Sequence, residues 1–198
     1  MSMKELPVRK QIRLEDFCYS NTGVYFITIC VEGRHEMLGE VVGDGVLDVP
    51  PTQGVLDVPP FPKEAPYVRL SEYGRIADKY IAIVGSHYAN IVIKKYVVMP
   101  NHLHILLRVH LANNKEDLRP INEAAWTRSR ANDTIPAFVS TLKRYIHKEC
   151  GFKLFQRAYH DYVVRNKSVY RRICEYIAKN PEEWQKDCYY AAKGGCLE

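Results

Sequence analysis

The sequence predicts an α+β domain on the ferredoxin-like plan, β-α-β-β-α-β-α, with an antiparallel sheet and its helices on one face. Three observations predict it. Runs rich in β-branched and aromatic residues occupy 24–31, 91–98 and 102–109, and a shorter one ends at Tyr162-Val-Val-Arg165. Stretches with apolar residues at helical spacing alternate with them. Only a Met99-Pro-Asn101 break separates the second strand from the third.

Residues 1–16 are polar and basic without periodicity, which predicts an extended arm. Val24–Val31 follows Asn21-Thr-Gly23 and reads as a buried strand. Residues 39–66 predict a loop insertion outside the core. Gly45-Val-Leu-Asp-Val-Pro-Pro51 recurs as Gly54-Val-Leu-Asp-Val-Pro-Pro60, and its prolines oppose both helix and central strand. Two copies are too few for a solenoid. Ser71–Val84 has Ile76, Ala77, Tyr80, Ile81 and Val84 at helical spacing, Ser71 as a cap and Gly85 as a stop. Residues 113–132, within an insertion spanning about 111–132, are polar and aperiodic and predict a long loop. A helix starts at Thr134-Ile-Pro136 and runs to about Glu149, with Phe138, Val139, Leu142, Tyr145 and Ile146 on one face. The last helix, Ser168–Asn180, carries Val169, Ile173, Tyr176 and Ile177 and stops against Pro181. Residues 1–198 thus read as a single domain with two loop insertions.

Composition narrows the class. Hydrophobic residues make up 46% of the 198, as in a globular protein. No window approaches the roughly 20 apolar residues of a membrane span, and the start of the chain lacks an apolar signal core. A cytoplasmic location without membrane contact is expected. The cysteines at 18, 30, 150, 174, 188 and 196 form no C-x-x-C pair, which points to reduced thiols and not to a disulfide framework or zinc knuckle. The formal charge of +5 is compatible with a nucleic-acid partner. Basic residues gather at Lys4, Arg9, Lys10 and Arg13 and again through the last third of the chain.

The chemistry centres on Met99-Pro-Asn-His-Leu-His104. In a strand, positions i and i+2 share a face, so His102 and His104 project together while Leu103 and Ile105 pack the other side. Two imidazoles on one rigid face form half of a metal site. Tyr176 and Asn180 are four apart on a helix and sit one above the other. An asparagine amide oxygen suits Mg²⁺ or Mn²⁺ better than zinc. Two imidazoles and one amide leave positions open for a phosphate oxygen, beside which the tyrosine would stand. A phenol with a pKa of about 10 is a poor nucleophile at neutral pH, and a cation on the phosphate lowers the barrier to its attack. The product would be a phosphotyrosine that keeps the energy of the broken phosphodiester. Read singly, His102 and His104 are ordinary strand histidines, Tyr176 is one of 14 tyrosines and Asn180 is a helix terminus. Tyr159, Tyr162 and Tyr170 are rival nucleophiles, but none has an oxygen ligand one turn onward.

Four segments together resemble the REP-associated tyrosine transposases, within the single-tyrosine HUH transposases related to the insertion-sequence-200 group. They are Arg9-Lys-Gln-Ile-Arg-Leu with Tyr25-Phe-Ile-Thr-Ile-Cys30, Met99–His104, Phe155-Gln-Arg-Ala-Tyr-His-Asp-Tyr-Val-Val-Arg165, and Tyr176-Ile-Ala-Lys-Asn-Pro181 with Trp184 beyond. The resemblance covers nearly the whole chain except 39–66 and 111–132. It implies the HUH endonuclease fold, with His102 and His104 as metal ligands and Asn180 as the third. It implies Mg²⁺ or Mn²⁺ as cofactor and Tyr176 as the nucleophile that takes the 5′ side of single-stranded DNA and frees a 3′-hydroxyl. Its substrates would be hairpins of palindromic repeats beside a short guide tetranucleotide, acted on by a monomer or homodimer. Arg9, Lys10, Arg13, Lys143, Arg144, Arg157 and Arg165 would hold the DNA backbone. Two departures stand out: Phe155, where many members have Trp, and the repeated Val-Leu-Asp-Val-Pro-Pro insert. A second reading is a domesticated or inactive relative that binds palindromic single strands without cutting. A third is a ferredoxin-like RNA-binding domain, against which the His-x-His pair argues.

Overall fold

The computed structural model describes residues 22–43, 65–110 and 134–190. The expected core strands are β1 (Gly23–Cys30), β4 (Ile91–Met99), β5 (His102–Val109) and β6 (His160–Val164). They form one antiparallel sheet in the order β4-β5-β1-β6. That order makes β5 and β1 the central strands and β4 and β6 the edges. The helices are α1 (Glu72–Ser86), α2 (Thr134–Cys150) and α3 (Lys167–Lys179).

Alternation along the strands sorts the two faces. Tyr25, Ile27 and Ile29 of β1 join Leu103, Ile105 and Leu107 of β5 in the main core, which α1 and α2 cover through Ala77, Ile81, Phe138, Leu142 and Ile146. Val24, Phe26 and Leu106 point the other way and meet Ile173 and Ile177 of α3. The one-face arrangement therefore holds for α1 and α2 only. α3 lies on the opposite face, and it does so because that face also has apolar side chains to bury. His102 and His104 share the parity of Leu106 and open onto the α3 side.

The insertion expected over 39–66 is partly ordered as sheet. β2 (Gly39–Val42) pairs antiparallel with β3 (Tyr67–Leu70) in a separate ribbon. The repeated Pro-rich segment falls within 44–64, outside the described residues, as do residues 111–133 and the basic arm with Arg9, Lys10 and Arg13. Gly85 does not end α1 but lies inside its last turn, where its bare Cα admits Ile93: a Cβ there would lie 2.6 Å from Ile93 Cδ1. Ser71 does cap the helix, its Oγ accepting from the Gly74 amide at 3.1 Å. Among the described residues, no helix is long and apolar enough to cross a membrane.

Candidate metal and tyrosine site

The turn between β4 and β5 is held from outside. Its Pro100 carbonyl accepts from the Leu38 amide and its Asn101 carbonyl from the Val31 amide, at 2.8 and 2.9 Å. The Asn101 side chain is fully buried, and its Nδ2 donates to the carbonyls of Arg34 and Tyr189. Arg34 presents its carbonyl from a left-handed backbone, φ 56°, unusual for a residue with a Cβ. With Nδ2 committed to two acceptors, Asn101 Oδ1 must accept, and the His102 Nδ1–H donates to it at 2.9 Å. His102 Nε2 is thereby left with its lone pair. His104 Nδ1 has Thr28 Oγ1 at 2.9 Å, a hydroxyl able to accept from it or donate to it.

The two Nε2 atoms face each other at 2.9 Å. Two ligands at right angles around a cation at about 2.1 Å would stand about 3.0 Å apart, so the spacing fits a shared ion. Burial pushes His102 down to about 4 despite the Asp187 carboxylate, with Arg34 adding to the fall. Burial, then the His102 charge, pushes His104 down to about 3. Both rings are therefore neutral at physiological pH, the state in which imidazole binds metal.

α3 brings Tyr176 and Asn180 to the pair. Tyr176 Oη lies 3.1 Å from His104 Nε2. Phe26 packs against both, stacked on His104 with its centroid at 5.0 Å and edge-on to Tyr176 at 6.2 Å. Asn180 caps the helix and is buried, with an Oδ1 that has no hydrogen-bond partner in the protein. A buried amide oxygen without a donor is costly, and a cation beside it removes the cost. The predicted residues His102, His104, Tyr176 and Asn180 are thus one cluster.

Sequence reasoning missed Asp187. It follows α3 beyond a 3-10 turn, Trp184–Lys186, and its Oδ2 accepts from both Tyr176 Oη at 2.8 Å and Asn180 Nδ2 at 2.7 Å. One carboxylate oxygen and the two histidine nitrogens lie within 4.8 Å of one another, as a metal-binding group requires. Burial pushes the carboxyl up, but hydrogen bonds from the Tyr189 amide, Asn180 and Tyr176 outweigh it and hold Asp187 below the usual range. Burial and the bond to Asp187 push the Tyr176 phenol well above its ordinary value. Tyr189 closes the cluster, its ring 4.6 Å from His102. The only sequence signal for Asp187 is its distance of about two helical turns from Asn180, too loose to single it out among acidic residues. Asn101 was visible as part of the motif but without a role.

The basic residues separate. Lys143 is buried, and its Nζ donates to the carbonyls of Gln156, Arg157 and Ala158 at 2.7, 3.3 and 3.0 Å. In this position it clamps the loop before β6, its three ammonium protons all directed at those carbonyls. Arg144 is exposed on α2, on the face away from the histidines. Arg157 and Arg165 are exposed on either side of β6. The departure Phe155 is fully buried in the main core.

No family model matches the chain. An uncharacterized protein of Haemophilus influenzae is 23% identical over 174 residues, 84% of each chain. Among solved structures, a REP-associated tyrosine transposase bound to a REP hairpin is similar with a TM-score of 0.48 and 16% identity, over 82% of this chain and 68% of that one. A Deinococcus radiodurans R1 protein taken for a transposase is similar with a TM-score of 0.37 and 13% identity, over 84% of this chain and 95% of that one. The motifs of the sequence resemble those of the REP-associated tyrosine transposases.

Proposed function

We propose that the chain is a metal-dependent transposase that nicks single-stranded DNA, at hairpins of palindromic repeats, and transfers the strand through a 5′-phosphotyrosine. The observation that carries this is the position of Tyr176 Oη, 3.1 Å from a histidine nitrogen that faces a second one. A hydrolase would need no such tyrosine, because water would serve.

His102, His104, Asn180 and Asp187 would hold the cation, through two nitrogens and two oxygens. When bound, Mg²⁺ or Mn²⁺ supplies Lewis-acid polarisation of a non-bridging phosphate oxygen. Imidazoles favour Mn²⁺ of the two. Tyr176 Oη attacks phosphorus and its proton passes to Asp187 Oδ2, which already accepts it. The P–O3′ bond breaks, and the departing 3′-oxygen takes a proton from solvent water and leaves as a hydroxyl. The Oη–P bond keeps the 5′ side of the strand on the protein. A later 3′-hydroxyl attacking that phosphotyrosine reverses the exchange and joins strands.

The test incubates the protein with labelled single-stranded hairpin DNA from the flanks of its own gene, with and without Mn²⁺. A denaturing protein gel should show a metal-dependent adduct that vanishes in Tyr176→Phe. An adduct that survives in Tyr176→Phe removes Tyr176 as nucleophile. Tight hairpin binding in a native gel without any adduct favours a binding module instead.

A further inference from the structure

A cleft of about 330 Å³ lies beside Tyr176 on the α3 side of the sheet, lined by Phe26, Tyr162, Val169, Arg172, Ile173 and Tyr176. Its existence follows from how α3 packs. The helix lies mainly over β4 and β5 and reaches β1 only through side chains such as Ile173 and Ile177, which leaves Tyr162 of β6 uncovered. Phe26 and Tyr162 are directly opposite in the β1–β6 register and share the face. Tyr162 is a large aromatic in mid-strand that remains 52% exposed. The wall is one stripe of α3, residues 169, 172, 173 and 176, at the i, i+3, i+4, i+7 spacing of a single helix face.

The lining has two aromatic rings on its floor, an apolar wall and one cation. That combination suits a flat aromatic group carrying a nearby negative charge. Arg172 stands one helical turn before Tyr176, about 6 Å along the axis. This is roughly the stride of one extended nucleotide, so one phosphate can reach Tyr176 while its neighbour meets Arg172. We infer that the β6–α3 cleft binds one unpaired DNA base next to the phosphate attacked by Tyr176, stacked on Tyr162 and Phe26, with Arg172 on the adjoining phosphate. This rests on the single-stranded DNA reading proposed above. Stacking on aromatic rings is tolerant of base identity, so the cleft supplies grip and alignment more than sequence readout.

The experiment measures fluorescence anisotropy of the full chain, in chelator so that nothing is cut, with two labelled probes. One is a ten-thymidine single strand, and the other is a ten-unit strand of the same backbone with every base removed. Wild type should bind the thymidine strand more tightly than the abasic one. Tyr162→Ala should weaken thymidine binding about 10-fold, within the range for loss of one stacked base, and leave abasic binding unchanged. Tyr162→Phe, which keeps the ring, should restore most of it. Arg172→Ala should weaken both probes alike. Because Tyr162 is half exposed, Tyr162→Ala should melt with wild type. If wild type prefers thymidine and Tyr162→Ala keeps that preference in full, the cleft is not the base site and the inference falls while the DNA reading stands. If wild type binds neither strand nor a labelled hairpin, the DNA reading itself falls.

Discussion

The Tyr176 hydroxyl donates to Asp187 Oδ2 over 2.8 Å, so the phenol of the candidate nucleophile already has a proton acceptor that also grips Asn180. Asp187→Asn keeps the shape of that contact and removes its charge. Mn²⁺ affinity, read by titration calorimetry, should fall about 10- to 100-fold, and adduct formation should fall with it. Unchanged affinity would remove Asp187 from the metal site and leave it as the partner of the phenol alone.

Thr28 reaches His104 from the neighbouring strand, with Oγ1 2.9 Å from Nδ1. Thr28→Val fills the same space but offers no hydrogen-bond partner to the ring. Its expected effect is a loss of about 10-fold or more in Mn²⁺ affinity at nearly unchanged stability, while Thr28→Ser should behave as wild type. A Thr28→Val protein that binds Mn²⁺ normally would show that the ring needs no such orientation.

The histidine pair should make stability depend on pH. Burial holds His102 at about 4 and His104 at about 3, against about 6.5 in the unfolded chain. Between those limits the unfolded chain binds more protons, so stability rises with pH. It is fully present above pH 6.5 and is lost as pH falls toward 4. Urea melts in chelator should show a loss from pH 7 to pH 5 of about 2 kcal/mol for each histidine. His102→Gln with His104→Gln should flatten that slope, and an equal slope in the double variant would place the acid sensitivity elsewhere.

How much of this could be read beforehand depended on the range of the interaction. Strand and helix positions followed from local periodicity, and His102 and His104 followed from strand parity, because both are properties of a few consecutive residues. Tyr176 and Asn180 followed from helical spacing and from resemblance. Asp187 did not, because what defines it is two hydrogen bonds made after the chain turns back beyond α3. The burial of Lys143 was hidden for a similar reason. A lysine on a basic stretch reads as surface, and only the loop folded over α2 supplies the three carbonyls that bury it. The β2–β3 ribbon was hidden because each strand has only four residues and the partners lie on either side of the Pro-rich repeat.

Lys143→Met should therefore destabilise the fold by about 1 kcal/mol, the cost of taking the donor from the Gln156, Arg157 and Ala158 carbonyls. Its DNA affinity should keep the wild-type salt dependence. Arg157→Ala, at an exposed position, should lower the slope of log affinity against log salt by about 1 if that side chain meets a phosphate. A reduced slope for Lys143→Met would return it to the DNA surface.

Two glycines of α1 should respond differently to alanine. A Cβ on Gly74 would lie 1.9 Å from the Leu38 carbonyl oxygen, a backbone atom tied into the entry of β2. Gly74→Ala should cost about 3 kcal/mol or more, since helix and loop must part. At Gly85 the obstacle is only the tip of Ile93, and alanine gains about 1 kcal/mol of helix propensity. Thermal melts should show a large drop for Gly74→Ala and little change for Gly85→Ala.

His104 and Tyr176 touch although they stand 72 positions apart, and Asp187 comes 11 positions later still. A ribosome therefore releases the histidine strand long before the phenol and the carboxylate. A nascent chain that has emerged only through β5 and α2 has the imidazoles but neither Tyr176 nor Asp187 beside them. The cluster waits for the completion of α3 and the turn behind it, so a half-made copy holds the two imidazoles without the phenol and carboxylate that meet them. The order of the residues is itself a delay.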